Sequence, residues 1–125
     1  VLKVLKIDDK QMIYNTTLHL CDISSQSKSL KLAQKWGYKC CEEFFLQGDL
    51  ERLQNFPISP FFNRFSKDVG KCQRGFIQYI VKPLFELYLP AFIDDNELVQ
   101  DILQNVHINQ NYWNSIKEGE FPYPS

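Results

Sequence analysis

Histidine is scarce in this chain. His19 and His107 are the only two in 125 residues, and no His-x-x-x-His pair occurs. A catalytic zinc centre that draws on three protein ligands therefore cannot be completed with histidine alone. The four cysteines, Cys21, Cys40, Cys41 and Cys72, form no Cys-x-x-Cys pair. That spacing speaks against a cysteine-based zinc site and reads as reduced, mostly buried thiols of an intracellular protein. There is no basic stripe, and a net charge of −1 comes from well-mixed signs. Nucleic acid is thus not an expected partner, and no charge block suggests a tail. The longest apolar run, near 84–93, is broken by Glu86 and Pro90 and is too short to cross a bilayer. No signal peptide is expected, these residues show no internal repeat or low-complexity tract, and no stretch reads as a strand. Methionine occurs once, at Met12, and the chain opens in mid-pattern with Val1. It is expected to be a piece of something longer.

What is present is a core. Hydrophobic residues make up 44% of the chain, with ten Phe and six Tyr. That argues against disorder, and the length suffices for one domain with a real core. Asp8 or Asp9 is expected to cap a first helix, which runs to about Ile23. Ser24-Ser25-Gln26-Ser27 is a polar break. Ser27 or Ser29 is expected to cap a second helix, with Leu30, Ala33, Trp36, Cys40 and Phe44 at helical spacing. Gln47-Gly48-Asp49 is expected to kink it before it resumes to about Asn55. Gly37 weakens that helix by roughly 1 kcal/mol relative to Ala, which suggests close packing beside Trp36. Phe56-Pro57-Ile58-Ser59-Pro60 cannot be regular helix. A third helix is expected from about Ser66 to Tyr88, bent at Pro83 and ended by Pro90. Asp94 or Asp95 caps a last helix carrying Leu98, Ile102, Val106 and Trp113, and 118–125 reads as a loose tail.

The third helix organises the rest. Phe76, Ile77, Ile80, Leu84, Leu87 and Tyr88 fall on one stripe at about 100° per residue, and Gln73 lies on it one turn ahead. A carboxamide on an apolar face must meet a partner, since an unmet buried amide costs roughly 1–3 kcal/mol. One partner is the edge of a flat heterocycle, to which the amide offers a donor and an acceptor, while Phe76 covers the ring face. The other is a neighbouring helix. A second point of interest is His19 and Asp22, three apart and so on one helix face. An imidazole with a carboxylate is a partial metal site; a helix-end Asp beside an ordinary His is the plainer alternative. His107 reads as a surface residue. Taken on spacing alone, Trp36, Phe44 and Phe61 are core.

Cys72-Gln73-Arg74-Gly75-Phe76-Ile77, followed by Pro83-Leu84, resembles the signature helix of the class I cyclic nucleotide phosphodiesterases, Gln-x-Gly-Phe-Ile-x-x-x-x-x-Pro-Leu. His19-x-x-Asp22-Ile23-Ser24 is similar to that family's His-x-x-Asp-[Leu/Ile]-Ser-Asn. Leu32, Trp36, Glu42-Glu43-Phe44-Phe45, Gln47-Gly48-Asp49 and Ile58-Ser59-Pro60 also follow it. The likeness runs from about Asp9 to Trp113. It implies that Gln73 holds the purine edge and Phe76 stacks on the purine. It further implies that Cys40, in place of a branched aliphatic residue, clamps the ring loosely, that Phe44 and Phe61 line the pocket, and that Asp22 is a metal ligand near the substrate. Ser25-Gln26 stands where the family has Asn-Pro, so a polar contact near the nucleotide is altered.

The reading is an all-α fold, a multi-helix array resembling the C-terminal subdomain of such an enzyme. The implied activity is hydrolysis of cAMP or cGMP to the 5′ monophosphate by two divalent ions, Zn²⁺ with Mg²⁺ or Mn²⁺, in cyclic-nucleotide signal transduction. The chain is expected to supply the purine wall and one metal ligand. No catalytic general acid lies in it. The expected partners are the cyclic nucleotide and the remainder of the catalytic domain N-terminal to Val1. A cytosolic location is expected, with membrane association only through segments elsewhere in the parent. Two alternatives remain: a non-catalytic helical interaction module, and a nucleotide-binding piece that keeps the pocket wall.

Overall fold

A computed structural model describes residues 7–66 and 68–120, the side chains of Ile7 and Asp8 excepted. Helix α1 spans Ile7–Asp22. It starts before Asp8 and Asp9, so these residues fall within its first turn and are not its cap. Acidic residues there suit the positive end of the helix dipole. Helix α1 buries Leu20, and Tyr88 holds it by donating its hydroxyl hydrogen to the Ile13 carbonyl at 3.1 Å and by bonding Thr17. The polar break is a single 3₁₀ turn, Ser24–Ser27, which buries Gln26 and Ser27.

Helix α2 runs unbroken from Leu30 to Leu53, through Gln47-Gly48-Asp49. Its buried line is Ala33, Gly37, Tyr38, Cys41, Phe45 and Gly48, a stripe at helical spacing. Ser29 precedes it without a side-chain cap bond. Asn55, at φ 59°, turns the chain out of the helix. The proline-bearing loop that follows is held by Glu51, whose carboxylate accepts from the Ser59 N–H at 2.7 Å and its hydroxyl at 2.9 Å. These bonds hold the Glu51 carboxyl below its ordinary range. Farther along, the Arg64 guanidinium pairs with Asp49 at 2.6 Å.

The organising helix comes in three pieces: α3 (Val69–Phe76), a π turn (Ile77–Val81) and α4 (Lys82–Phe92). Pro83 has no N–H to donate. Just before it the Lys82 N–H bonds back five residues to the Ile77 carbonyl, the π register. That wider turn alters the expected stripe. Beyond Val69 and Gly70 in its first turn, the residues the helix buries are Gln73, Ile77, Val81, Phe85 and Leu89, spaced by four. At 3.6 residues per turn a four-residue spacing drifts round the helix; the π turn takes up the drift. Ile80 and Leu87, expected inside, are exposed, Leu87 by 76%. Pro90 does not end the helix either. One bond is lost, and the Ile93 N–H closes the last turn on the Leu89 carbonyl at 2.9 Å.

Asp95 caps α5 (Asn96–Ser115), accepting from the Leu98 N–H at 3.0 Å. Val99, Val106, Asn109 and Trp113 form its buried face, which lies against α2, α3, α4 and the 3₁₀ turn. The Arg74 guanidinium donates to the Trp113 and Ile116 carbonyls at 3.2 and 3.1 Å, meeting acceptors that a helix end leaves open. His107 is exposed on α5. Of the expected tail, 118–120 form a turn and 121–125 lie outside the described residues. The fold is all-helical, with no strand among the described residues, and none of its described helices is long and apolar enough to cross a membrane.

Two glycines test this packing in opposite senses. A Cβ on Gly48 would sit 2.0 Å from the Phe62 carbonyl oxygen, whereas one on Gly75 meets nothing within 4 Å. Gly48→Ala is expected to destabilise the protein by about 1–3 kcal/mol, because backbone must move. Gly75→Ala is expected to stabilise it by about 0.5–1 kcal/mol through helix propensity. Urea unfolding midpoints of the two variants check both signs.

Candidate functional site

A slot of about 210 Å³ opens between α2, α3 and the start of the 3₁₀ turn. Asp22, Ile23, Ser25, Cys40, Phe44, Cys72, Gln73 and Phe76 line it. Sites that take a whole ligand usually measure ~300–1,000 Å³; this one has room for a ring and little more. Phe44 reaches it from α2 and Phe76 from α3, and the Phe62 ring stacks on Phe44 at 4.7 Å and 7°.

Gln73 is 4% exposed, and its amide is not free to turn. The sequence of constraints begins at Trp113. An indole N–H can only donate, and that of Trp113 reaches the Gln26 Oε1 at 2.9 Å. The Gln26 Nε2 must then face the other way. It donates to the Gln73 Oε1 at 3.1 Å and to the Ala33 carbonyl at 3.3 Å. With its oxygen so placed, Gln73 turns its Nε2 toward the Cys41 Sγ at 3.6 Å. Asn109 pins the turn that carries Gln26, donating its Nδ2 hydrogens to the Gln26 and Lys28 carbonyls, each at 2.8 Å. Gly37 makes room for the whole arrangement. A Cβ there would stand 2.5 Å from the Trp113 ring and 3.3 Å from the Gln73 amide carbon. The close packing expected beside Trp36 is thus with Trp113; Trp36 itself is 54% exposed.

Gln73 retains one N–H and one oxygen lone pair beyond these bonds. The slot accordingly offers a flat ring a donor and an acceptor in fixed order, between aromatic walls. Its sulfur groups differ in character. The Cys41 thiol is pushed up by its bond to Cys72 and by burial, and the Cys40 thiol is pushed up by burial. Cys72 is held below the ordinary thiol value by the bond from Cys41.

Five of the six residues singled out in the sequence, Asp22, Cys40, Phe44, Gln73 and Phe76, line this one slot. Phe61 does not join them. It lies at φ 69° on the rim of a separate cavity of about 390 Å³ with Lys71, Arg74, Gln78 and Tyr79. Asp22 is exposed and also borders a depression of about 480 Å³ with Asn15, Leu18 and His19. It therefore stands where two cavities meet. Gln26, Asn109 and Trp113 escaped the sequence reading as site residues. Gln26 sits in a run that reads as a polar break, and nothing local tells that its side chain is buried.

The chain is thus all-helical, with a slot edged by a glutamine and two phenylalanines. The chain belongs to the 3′5′-cyclic nucleotide phosphodiesterase family, whose family model matches residues 3–106. It is similar to a 3′,5′-cyclic-AMP phosphodiesterase of Drosophila melanogaster (isoform F), 37% identical over 116 residues, covering 93% of the chain and 17% of the relative. A probable 3′,5′-cyclic-AMP phosphodiesterase of Caenorhabditis elegans is 34% identical over 115 residues, covering 92% and 17%. The chain spans less than one fifth of the length of these curated relatives.

Trp113→Phe keeps the packing of a large ring but leaves the buried Gln26 oxygen without its donor. A loss of about 1–3 kcal/mol is expected in thermal or urea unfolding. Wild-type stability in that variant would show that the amide orientation is set elsewhere.

Proposed function

We propose that this chain forms the base-binding wall of a cyclic nucleotide phosphodiesterase catalytic domain. In this reading Gln73 holds the purine edge, Phe76 and the Cys40 side cover its two faces, and Phe44 closes the slot. The observation that carries it is the fixed, half-engaged amide of Gln73 in a slot of about 210 Å³ walled by Phe44 and Phe76. An adenine edge offers an amine donor beside a ring acceptor, and a guanine edge offers the reverse. An amide that cannot flip serves one of the two better. The relatives' names favour adenine, so cAMP is the proposed substrate, with its 5′ monophosphate as product.

Asp22 is proposed as the residue that would donate a carboxylate to a metal centre. The fit is partial. One carboxylate and one imidazole do not make a three-ligand site, and no group of three His, Cys, Asp or Glu residues is found among the described residues. Asp22 therefore fits as a single donor. The remaining ligands, and the general acid, would come from a part of the catalytic domain that these residues do not include. The chemistry supplied by bound Zn²⁺ and Mg²⁺ or Mn²⁺ is activation of water and neutralisation of phosphate charge. What this chain does is hold the base, so that the attached phosphate is presented at a set distance from Asp22.

Phosphodiesterase activity with Mg²⁺ is expected from a protein that joins these residues to the missing ligands, and no turnover from the 125 residues alone. In the joined protein Gln73→Ala is expected to raise KM for the preferred nucleotide about tenfold and to narrow the cAMP/cGMP ratio, from loss of about 1–2 kcal/mol of hydrogen bonding. An unchanged KM for both nucleotides would remove Gln73 from the base site. Asp22→Ala is expected to lower bound metal, read by elemental analysis, and to abolish turnover; full metal occupancy would clear Asp22 of that role.

A further inference from the structure

The cavity of about 390 Å³ that Phe61 borders shares no lining residue with the slot. Its size lies within the ~300–1,000 Å³ usual for small-molecule sites. Lys71, Arg74 and Gly75 reach it from α3, Gln78 and Tyr79 from the π turn, and Gln110 from α5. None of the proposed chemistry uses it. We propose that this cavity binds a phosphomonoester carried on a flat aromatic group.

The charge of the cavity is unbalanced. No carboxylate lines it. Among the described residues neither Lys71 nor Arg74 forms an ion pair, whereas Arg52 and Arg64 both do. Arg74 is half-buried, and its Nη1 donates to the Trp113 and Ile116 carbonyls at 3.2 and 3.1 Å. Those bonds hold the guanidinium in place and leave the hydrogens of Nη2 and Nε to donate elsewhere. The open end of α5 contributes about half a negative charge there, so with Lys71 the cavity keeps an excess of positive charge. A dianionic phosphate matches that excess: its oxygens accept paired bonds from a guanidinium and a further one from an ammonium group. Gln78 adds a neutral donor. Its oxygen accepts from the Gln110 Nε2 at 2.6 Å, which leaves its own Nε2 hydrogens for a ligand. Gly75 keeps the wall low. A Cβ there meets nothing within 4 Å, so packing does not call for glycine, and a glycine in a cavity wall lets a ligand approach the backbone. The exposed rings of Phe61 and Tyr79 offer apolar faces to the group that carries the phosphate. The inference uses neither Gln73 nor Asp22 and does not depend on what fills the slot.

Phenyl phosphate is titrated into the isotope-labelled protein at low ionic strength and followed by NMR. Shifts of the Gly75, Gln78 and Gln110 resonances are expected, ahead of any at Cys40, Phe44 or Gln73 in the slot. Inorganic phosphate is expected to move the same resonances with about tenfold weaker affinity, for want of the ring, and phenol to leave them unmoved. Lys71→Gln, a change on an exposed side chain, is expected to weaken phenyl phosphate about tenfold, and Gly75→Leu to block it by filling the cavity. Absence of shifts, shifts confined to the slot, phenol binding as well as phenyl phosphate, or an unchanged affinity in Lys71→Gln would each overturn the assignment. So would equal affinity for inorganic phosphate, which would leave the aromatic group no part in binding. The wild-type shift map decides the site even where Gly75→Leu folds poorly.

Discussion

One hydrogen bond sets the polarity of the site: the Trp113 indole N–H to the Gln26 carboxamide oxygen. An indole nitrogen has no acceptor role to exchange for its donor role, so it admits a single orientation of Gln26, and Gln26 in turn admits a single orientation of Gln73. All three side chains are buried. Reversing any amide would set like groups against each other where water does not compensate, at about 1–3 kcal/mol for each group left unmet. Gly37 is small, the Asn109 amide grips the 3₁₀ turn and Arg74 secures the end of α5 for the same reason: each holds one end of this connection.

The second constraint is the π turn ahead of Pro83. It brings Gln73 into line with Ile77, Val81, Phe85 and Leu89 on a single buried edge. A wholly α-helical segment would rotate the far end of that edge by about 40° for every four residues. The apolar part of the edge anchors the helix in the core, and its polar end emerges at the slot. Core packing and the placement of the site are therefore the same structural event. The slot lies between two helices, and its wall is held by packing and side-chain bonds.

The helices themselves were legible in the residue pattern, within a few positions at their ends. Asp95 before Asn96, the polar run 24–27 and the Pro57–Pro60 loop are local signals, and local signals act through neighbours in the chain. Gln73 and Phe76 were legible as candidates because an amide on an apolar face is anomalous, and because the surrounding motif resembles a known family. Phe61 was read as a lining residue from its place in an Ile-Ser-Pro-Phe turn; it has a left-handed backbone and borders a cavity other than the slot. Leu87 and Ile80 were misread too, since a 3.6-residue period cannot anticipate a wider turn.

By itself the amino-acid order determined an all-helical chain, its family, and which amide and which carboxylate deserved study, because each of these rests on short-range spacing or on a contiguous motif. The tertiary structure alone decided which way the Gln73 amide points, that Gln26 is inside, and that Cys40 and Cys72 line one slot. Those outcomes depend on atoms brought together across 47 residues between Gln26 and Gln73 and 87 between Gln26 and Trp113. No local preference encodes such a meeting; it exists only once the helices have packed.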